Sequence, residues 1–286
     1  MRRNTYILTV SCPNRAGIVA AVSQYLFRFG ANIVESHQFD DNAVAQFFMR
    51  VKFDFVAENR FEELRAEFAP IARQFEMNWK IRETAVPRRV LILVSKLDHC
   101  LVDLLYRWRT GDLAFEPVGI ISNHPEDIFQ GVDFHGIQFD HIPVTGDTKQ
   151  KQEARLLEII DERGVDLVVL ARYMQILSSQ LAANLAGKCI NIHHSFLPGF
   201  KGARPYHQAY DRGVKVVGAT AHYVTQDLDE GPIITQDVEP ISHRHDPMEL
   251  VRLGRDIERR VLAKAIRLHL EDRVFVHGMR TVVFEG

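Results

Sequence analysis

Apolar positions in the first eighty or so residues change rhythm in short segments. Residues 5–11 (TYILTVS) read as a strand. From Gly17 the apolar residues Ile18, Val22, Tyr25 and Phe29 return every three or four positions, as one buried face of a helix requires. Gly30 ends that helix, because glycine tolerates the positive φ of a C-terminal cap. Residues 32–39 and 44–53 read as two strands, with Asp40-Asp41-Asn42 as the turn between them. A second helix carries Phe61, Leu64, Phe68, Ile71 and Phe75 on one face, and Pro70 within it is expected to kink or split it. Residues 78–82 supply a last strand. The order βαββαβ predicts a ferredoxin-like domain over residues 1–83, an antiparallel sheet covered on one face by two helices. Residues 84–89 lack an apolar period and read as a linker.

From residue 90 the pattern changes. Residues 90–94 (VLILV) and 117–122 (PVGIIS) are continuous apolar runs, expected of strands buried on both faces. Residues 101–108 are helical, 139–143 form a short strand, and 148–163 form a helix closed by Gly164. Residues 166–170 and 188–192 are two more buried strands, 216–224 and 233–240 two further ones. Asp246-Pro247-Met248-Glu249 is a helix start with Asp as N-cap, Pro first and Glu third. Its helix runs to about residue 269, and residues 274–276 and 281–284 close the chain as a hairpin. Alternating helices and buried strands predict an α/β class, with a doubly wound, mainly parallel, Rossmann-like sheet over residues 90–286. No GxGxxG follows the first of these strands. The sequence there is Ser95-Lys96-Leu97-Asp98-His99-Cys100, so the dinucleotide-binding turn is missing.

Composition narrows the class. The chain has 286 residues, 46% hydrophobic and 25% charged, with a formal net charge of -2. That balance is ordinary for a globular protein and gives no polybasic surface for nucleic acid or an anionic membrane. The apolar stretch after the two N-terminal arginines is too short for a signal peptide, and no run is long enough to span a bilayer. Cys12, Cys100 and Cys189 have no paired spacing, which argues against both a disulfide framework and a zinc site. The expected location is the cytoplasm.

The candidate chemistry sits in NIHHSFLPGFKG, residues 191–202. Asn191 and His193 are two apart at a strand's end and so share one side of it. His194 is expected to point the other way. Pro198 and Gly199 keep the following loop from becoming helix. The carboxyl end of a strand followed by an irregular loop is where open α/β sheets place ligands. An amide beside an imidazole offers a fixed hydrogen-bond donor and a proton carrier, which acyl-group chemistry needs.

Several ordered motifs carry a family resemblance: Asn191-x-His193, SFLPGFKG, Gly218-Ala-Thr220-Ala-His222-Tyr-Val224, and Asp227-Leu-Asp229-Glu-Gly231-Pro232. From about Arg88 onward they resemble the folate-dependent formyltransferase domain. The first domain, with CPNRAGIVAAV after its first strand, resembles an ACT domain, a module that often senses amino acids and pairs between subunits. The two together are similar to the formyltetrahydrofolate deformylase family.

That resemblance implies hydrolysis of an amide-like C–N bond, giving tetrahydrofolate and formate from 10-formyltetrahydrofolate and water. The formate would feed purine synthesis and balance one-carbon folate pools. It makes Asn191, His193 and Asp229 the catalytic candidates. Asn191 would be the donor to the oxyanion and His193 the proton carrier, with Asp229 favouring its imidazolium form and positioning water.

Residues 171–177 match the family's pterin-side loop, with Met174, Ile176 and Leu177 as apolar walls; a short core helix is the other reading of that stretch. Phe196 and Leu197 are candidates for the same cavity, and Arg172 and Lys201 for substrate contacts. Asn14, Arg15, Ala16, Gly17 and Ile18, at a helix N-terminus, are a candidate amino-acid effector site. No metal or other cofactor is expected. A homo-oligomer is expected, a dimer or a dimer of dimers. Two alternatives stay open: formyl transfer to an amine acceptor, and a non-catalytic amino-acid sensor. Against the first, SKLDHCLVDLL replaces the glycine-rich phosphate turn that a ribonucleotide acceptor needs.

Overall fold

The structure is a computed structural model that describes residues 4–55, 60–199 and 205–285. The chain divides into two compact units. One is Met1–Pro87 with Asp272–Phe275 and Val282–Gly286; the other is Arg88–Glu271 with Val276–Thr281.

The first unit has the order β1 (Asn4–Pro13), α1 (Ile18–Arg28), β2 (Asn32–Asp41), β3 (Gln46–Phe55), α2 (Phe61–Gln74) and β4 (Asn78–Glu83). Its sheet runs β2-β3-β1-β4, antiparallel throughout. Tyr6, Leu8, Val10 and Cys12 of β1 and Phe47, Met49, Val51, Phe53 and Phe55 of β3 alternate onto one face. Ile18, Val22, Tyr25 and Leu26 of α1 and Leu64, Phe68 and Ala72 of α2 cover that face. Each Val, Leu, Ile, Phe or Met among them contributes about 1.5–3 kcal/mol when fully buried. The helix α2 is not split at Pro70. Pro70 is exposed, as is Ala66 one turn back, so the carbonyl that loses its partner can meet water.

The last residues differ from the continuous 90–286 division read in the sequence. The hairpin of β12 (Val274–His277) and β13 (Arg280–Val283) contributes its outer residues to the first unit. The reason is charge and ring pairing. Arg273 reaches Glu35 at 2.9 Å, Asp272 meets Arg82 at 2.7 Å, and the rings of Phe275 and Phe284 lie against Phe48 and His37.

The second unit holds a seven-stranded sheet. Its strands are β5 (Arg88–Val94), β6 (Phe115–Ser122), β7 (Phe139–His141), β8 (Leu167–Leu170), β9 (Cys189–His193), β10 (Val216–Tyr223) and β11 (Ile233–Pro240). Their spatial order is β11-β10-β9-β8-β5-β6-β7. The five strands from β9 to β7 are parallel, whereas β10 runs antiparallel to both β9 and β11. The helices are α3 (His99–Arg109), α4 (Lys149–Glu162), α5 (Ser179–Asn184), α6 (Pro205–Asp211) and α7 (Pro247–Leu270). The start of α7 is a full capping box between Asp246 and Glu249. No helix among the described residues is long and apolar enough to cross a membrane. From β7 the chain returns to the other side of β5, and that reversal opens the crevice at the strands' carboxyl ends.

Candidate active site

Antiparallel pairing sets the wall of the site. On β9 and β10, Asn191 stands opposite His222, and His193 opposite Thr220. Directly opposed side chains on one face meet, and Asn191 Nδ2 lies 3.2 Å from His222 Nε2. His222 Nδ1 lies 2.9 Å from the Tyr223 carbonyl. A carbonyl only accepts, so Nδ1 carries the proton and Nε2 accepts from Asn191. Burial is the largest influence on this ring and pushes its pKa down, which keeps it neutral. Asn191 is therefore held by one Nδ2 proton while the amide keeps a second.

His193 is only 5% exposed. Its Nδ1 is 3.0 Å from Ser195 Oγ, and that hydroxyl donates to the Gly199 carbonyl at 2.9 Å. Ser195 Oγ thus accepts from Nδ1. On the other side, Nε2 lies 3.3 Å from Asp229 Oδ2. Both ring nitrogens face acceptors, an arrangement that suits an imidazolium. Asp229 sits in a left-handed backbone conformation, φ 58°, which turns its carboxylate back toward the histidines. Burial would raise its pKa, but the hydrogen bond from His193 and the charge of that ring outweigh it and hold the carboxyl below the usual aspartate value.

The loop after β9 is fixed from β10 and β11. Thr220, fully buried, donates to the Ser195 carbonyl at 2.9 Å and accepts from the Leu197 amide at 3.0 Å. Gln236 adds bonds to Thr220 Oγ1 and to the Leu197 carbonyl. Residues 171–177 form the facing wall and are irregular, not the short helix that was the other reading of that stretch. Arg172 takes a left-handed φ of 64°, and Ser95 Oγ accepts from the Met174 amide at 2.9 Å. Tyr173 OH accepts from Gln152.

These walls enclose a cavity of about 340 Å³. Asn191, His193, His222 and Asp229 line one part, and Arg172, Met174, Gln175, Ile176 and Leu177 another. Met174 and Ile176 are 55% and 60% exposed there. Apolar side chains on the rim and convergent polar atoms at one wall describe a ligand site.

Residues 88–266 match the Formyl transferase family, and residues 6–69 match the ACT domain family. A formyltetrahydrofolate deformylase of Corynebacterium sp. (strain P-1) is 54% identical over 279 residues, 97% of each chain. The chain belongs to the formyltetrahydrofolate deformylase family. The crystal structure of a formyltetrahydrofolate deformylase from Burkholderia mallei ATCC 23344, 52% identical, superposes with a TM-score of 0.93 over 99% of this chain and 100% of that one. Glycinamide ribonucleotide transformylase 1 from Symbiobacterium toebii is 30% identical, with a TM-score of 0.64, and covers 70% of this chain and 95% of its own.

The deformylase-family chain does not bring every candidate together. Phe196 and Leu197 are not among the residues lining this cavity. Phe196 lines a separate one of about 200 Å³ with Tyr206 and Val217. Leu197 is buried, its backbone engaged by Thr220 and Gln236. Lys201 lies outside the described residues. His194 does not point away from His193. It lies just past the end of β9, where strand alternation no longer applies, and its ring stacks on His193 at 5.0 Å and 13°. His222 went without a role in the sequence reading. The signal was present in the alternation of Gly218, Thr220 and His222 with small apolar residues in the strand beside Asn191.

In the first unit, Gly17 has φ 94° and opens α1 without a side-chain cap. Beside it, Asn14 is already engaged. Its amide donates to Asp40 at 2.7 Å and its backbone N–H to the Ala45 carbonyl at 2.9 Å. Arg15 pairs with Glu76, Ala16 is exposed and Ile18 is buried. Elsewhere His99, Cys100 and Glu258 bring ligand atoms within 4.8 Å of one another. Burial and the Glu258 charge push the Cys100 thiol well up, and Glu258 is already paired with His99 and Arg172. A protonated thiol and a carboxylate beside a guanidinium do not suit a metal ion.

Proposed function

We propose that this chain hydrolyses 10-formyltetrahydrofolate to tetrahydrofolate and formate at the cavity between residues 171–177 and the ends of β9 and β10. The observation that carries the reading is the convergence of Asn191 Nδ2, His193 Nε2 and the Asp229 carboxylate on one wall of an apolar-rimmed cavity. Met174, Ile176 and Leu177 offer the apolar surface for the pterin, and loop backbone groups its hydrogen bonds.

Water, held by Asp229, attacks the formyl carbon and passes a proton to the carboxylate. The carbonyl oxygen becomes an oxyanion, met by the second Asn191 Nδ2 proton and by the His193 imidazolium. Such a donor is worth about 3–4 kcal/mol of barrier. His193 then gives its Nε2 proton to N10, the oxyanion collapses as the C–N10 bond breaks, and formic acid leaves, losing its proton to solvent as formate. The proton on Asp229 returns to His193 across their 3.3 Å contact. Side chains and water carry every step of this route, and no metal or other cofactor takes part. The proposed location is the cytoplasm, where the released formate would supply purine synthesis and balance folate pools.

The ACT unit is proposed to bind an amino acid near Gly17 and to pair the chain into a dimer or a dimer of dimers. Thermal shift across an amino-acid panel reads the first, since binding to the native state raises the melting temperature. Light scattering reads the second.

The catalytic reading is tested by formate release from 10-formyltetrahydrofolate without an amine acceptor, beside Asp229→Asn. Release by the native chain and a loss of at least about a hundredfold in the variant are expected. Release only on adding an amine would make the chain a transferase, and silence with and without an amine would end the catalytic reading.

A further inference from the structure

Behind the catalytic wall lies a second polar group that the proposed route does not use. Glu258 of α7 is 1% exposed, the most deeply buried carboxylate among the described residues. Its Oε1 accepts from Tyr206 OH at 2.8 Å and its Oε2 lies 2.7 Å from His99 Nε2. Arg172 Nε stands 3.3 Å from the same Oε2, at ion-pair distance without hydrogen-bond alignment. The other end of that guanidinium donates through Nη1 to His194 Nδ1. Arg172 holds a left-handed backbone, which persists in a side-chain-bearing residue only where its surroundings impose it. The packing is built for this group: at Gly254 of α7 a Cβ would lie 2.0 Å from the Tyr206 ring.

A guanidinium can only donate, so the His194 nitrogen facing it must offer a lone pair. His194 is thereby fixed with its proton on Nε2 and no net charge. Its ring stacks on His193, whose own nitrogens face Ser195 Oγ and Asp229. Two stacked imidazoliums would repel, whereas a neutral ring leaves the charge to one of them. We propose that Arg172 and Glu258 are positioning residues that hold His194 as a neutral, Nε2-protonated ring against His193, so that the catalytic proton of the stacked pair resides on His193. The inference rests on His193 being the proton carrier.

The test reads His194 directly. Two-bond ¹H–¹⁵N spectra of the ¹⁵N-histidine-labelled full chain at pH 7 report which nitrogen is protonated, with His194→Asn assigning the signal. The Nε2–H form is expected. A His194 protonated at Nδ1, alone or with Nε2, overturns the proposal whether or not the enzyme hydrolyses its substrate. In Arg172→Met the Nε2–H signature should be lost, and kcat should fall about tenfold to a hundredfold with KM within about twofold of native. A rise in KM at unchanged kcat would make Arg172 a substrate ligand and overturn its positioning role. Should that variant fail to fold, Glu258→Gln keeps the shape of the site while removing the charge that anchors Arg172. It is expected to shift the His194 tautomer and lower kcat in the same direction, and a native tautomer with native kcat overturns the role of Glu258.

Discussion

Replacing Gly231 by alanine is expected to disable the site from outside it. A Cβ at residue 231 would lie 1.7 Å from the Tyr223 carbonyl oxygen and 3.2 Å from His222 Nδ1. The first contact is with backbone, so no flexible side chain can yield, and residues 223 and 231 must part by at least about 1 Å. The Tyr223 carbonyl is the acceptor that fixes the proton on His222 Nδ1. The Tyr223 amide in turn bonds the Pro232 carbonyl at 2.9 Å. Parting them frees His222 from its tautomer, removes the acceptor that holds Asn191, and displaces Asp229 two residues upstream. Misplacement by about 1 Å can cost about 10²-fold in rate, and overpacking of this kind about 1–3 kcal/mol in stability. Formate release and a thermal melt on the same preparation measure both. The expected result is a fall in kcat of about ten- to a hundredfold with a fold that still melts cooperatively. A Gly231→Ala enzyme within about twofold of native kcat would refute the argument that the β10–β11 junction holds the Asn191–His222 pair.

Three further outcomes follow from the same geometry. Thr220→Val removes a buried hydroxyl and its bonds to the Ser195 carbonyl and the Leu197 amide; urea unfolding should show a loss of about 2–4 kcal/mol, and a loss below ~0.5 kcal/mol would mean that the loop is held by other bonds. The Asp229 carboxyl is depressed in the folded state, so its contribution to stability is full above the unfolded value near ~3.9 and is lost as pH falls through the lower folded value. The gap in melting temperature between native and Asp229→Asn should therefore be constant above about pH 5 and shrink below about pH 4, and a gap that widens in acid reverses the sign. Dialysis against EDTA should leave formate release within about twofold; loss restored by a divalent cation would require a metal in the mechanism.

The parts that sequence exposes are those governed by a period. The alternating faces of β1 and β3, the helical stripe of α1 and the buried runs of β5 and β8 follow from burial alone. The Asp246 to Glu249 start of α7 is equally legible, because capping is local chemistry. Two short helices escaped. Six residues of α5 and seven of α6 make too few turns to show a stripe. In the site, Asn191, His193 and Asp229 were reachable through motif and order, whereas the neighbours that fix them were not. The His222 bond to Asn191 depends on the β9–β10 register, and the bond of Arg172 to His194 depends on a left-handed residue at the end of another strand. Neither register nor an αL arginine is written in composition or spacing. The stacking of His194 on His193 reversed the expectation from strand alternation because the strand stops between them.

Three histidines crowd this wall, and the acceptors and donors around each determine what it can do. His222 gives Nδ1–H to a carbonyl and receives Asn191 at Nε2, so it is neutral and serves as a mount. His194 receives Arg172 at Nδ1 and is neutral for a different reason. His193 has an acceptor at each nitrogen, Ser195 Oγ at 3.0 Å and the Asp229 carboxylate at 3.3 Å, whereas His222 Nε2 stands 4.0 Å from that carboxylate. A hydrolase that protonates a leaving nitrogen needs one mobile proton at a defined atom, and additional charged rings nearby would raise the cost of keeping it there. Neutralising two of the three rings by fixed hydrogen bonds leaves that proton one place to stand. On the proposed route Asp229 both attracts the charge to His193 and holds the water, a double role that accords with its being turned into the cavity at a left-handed residue, a conformation with a cost of its own.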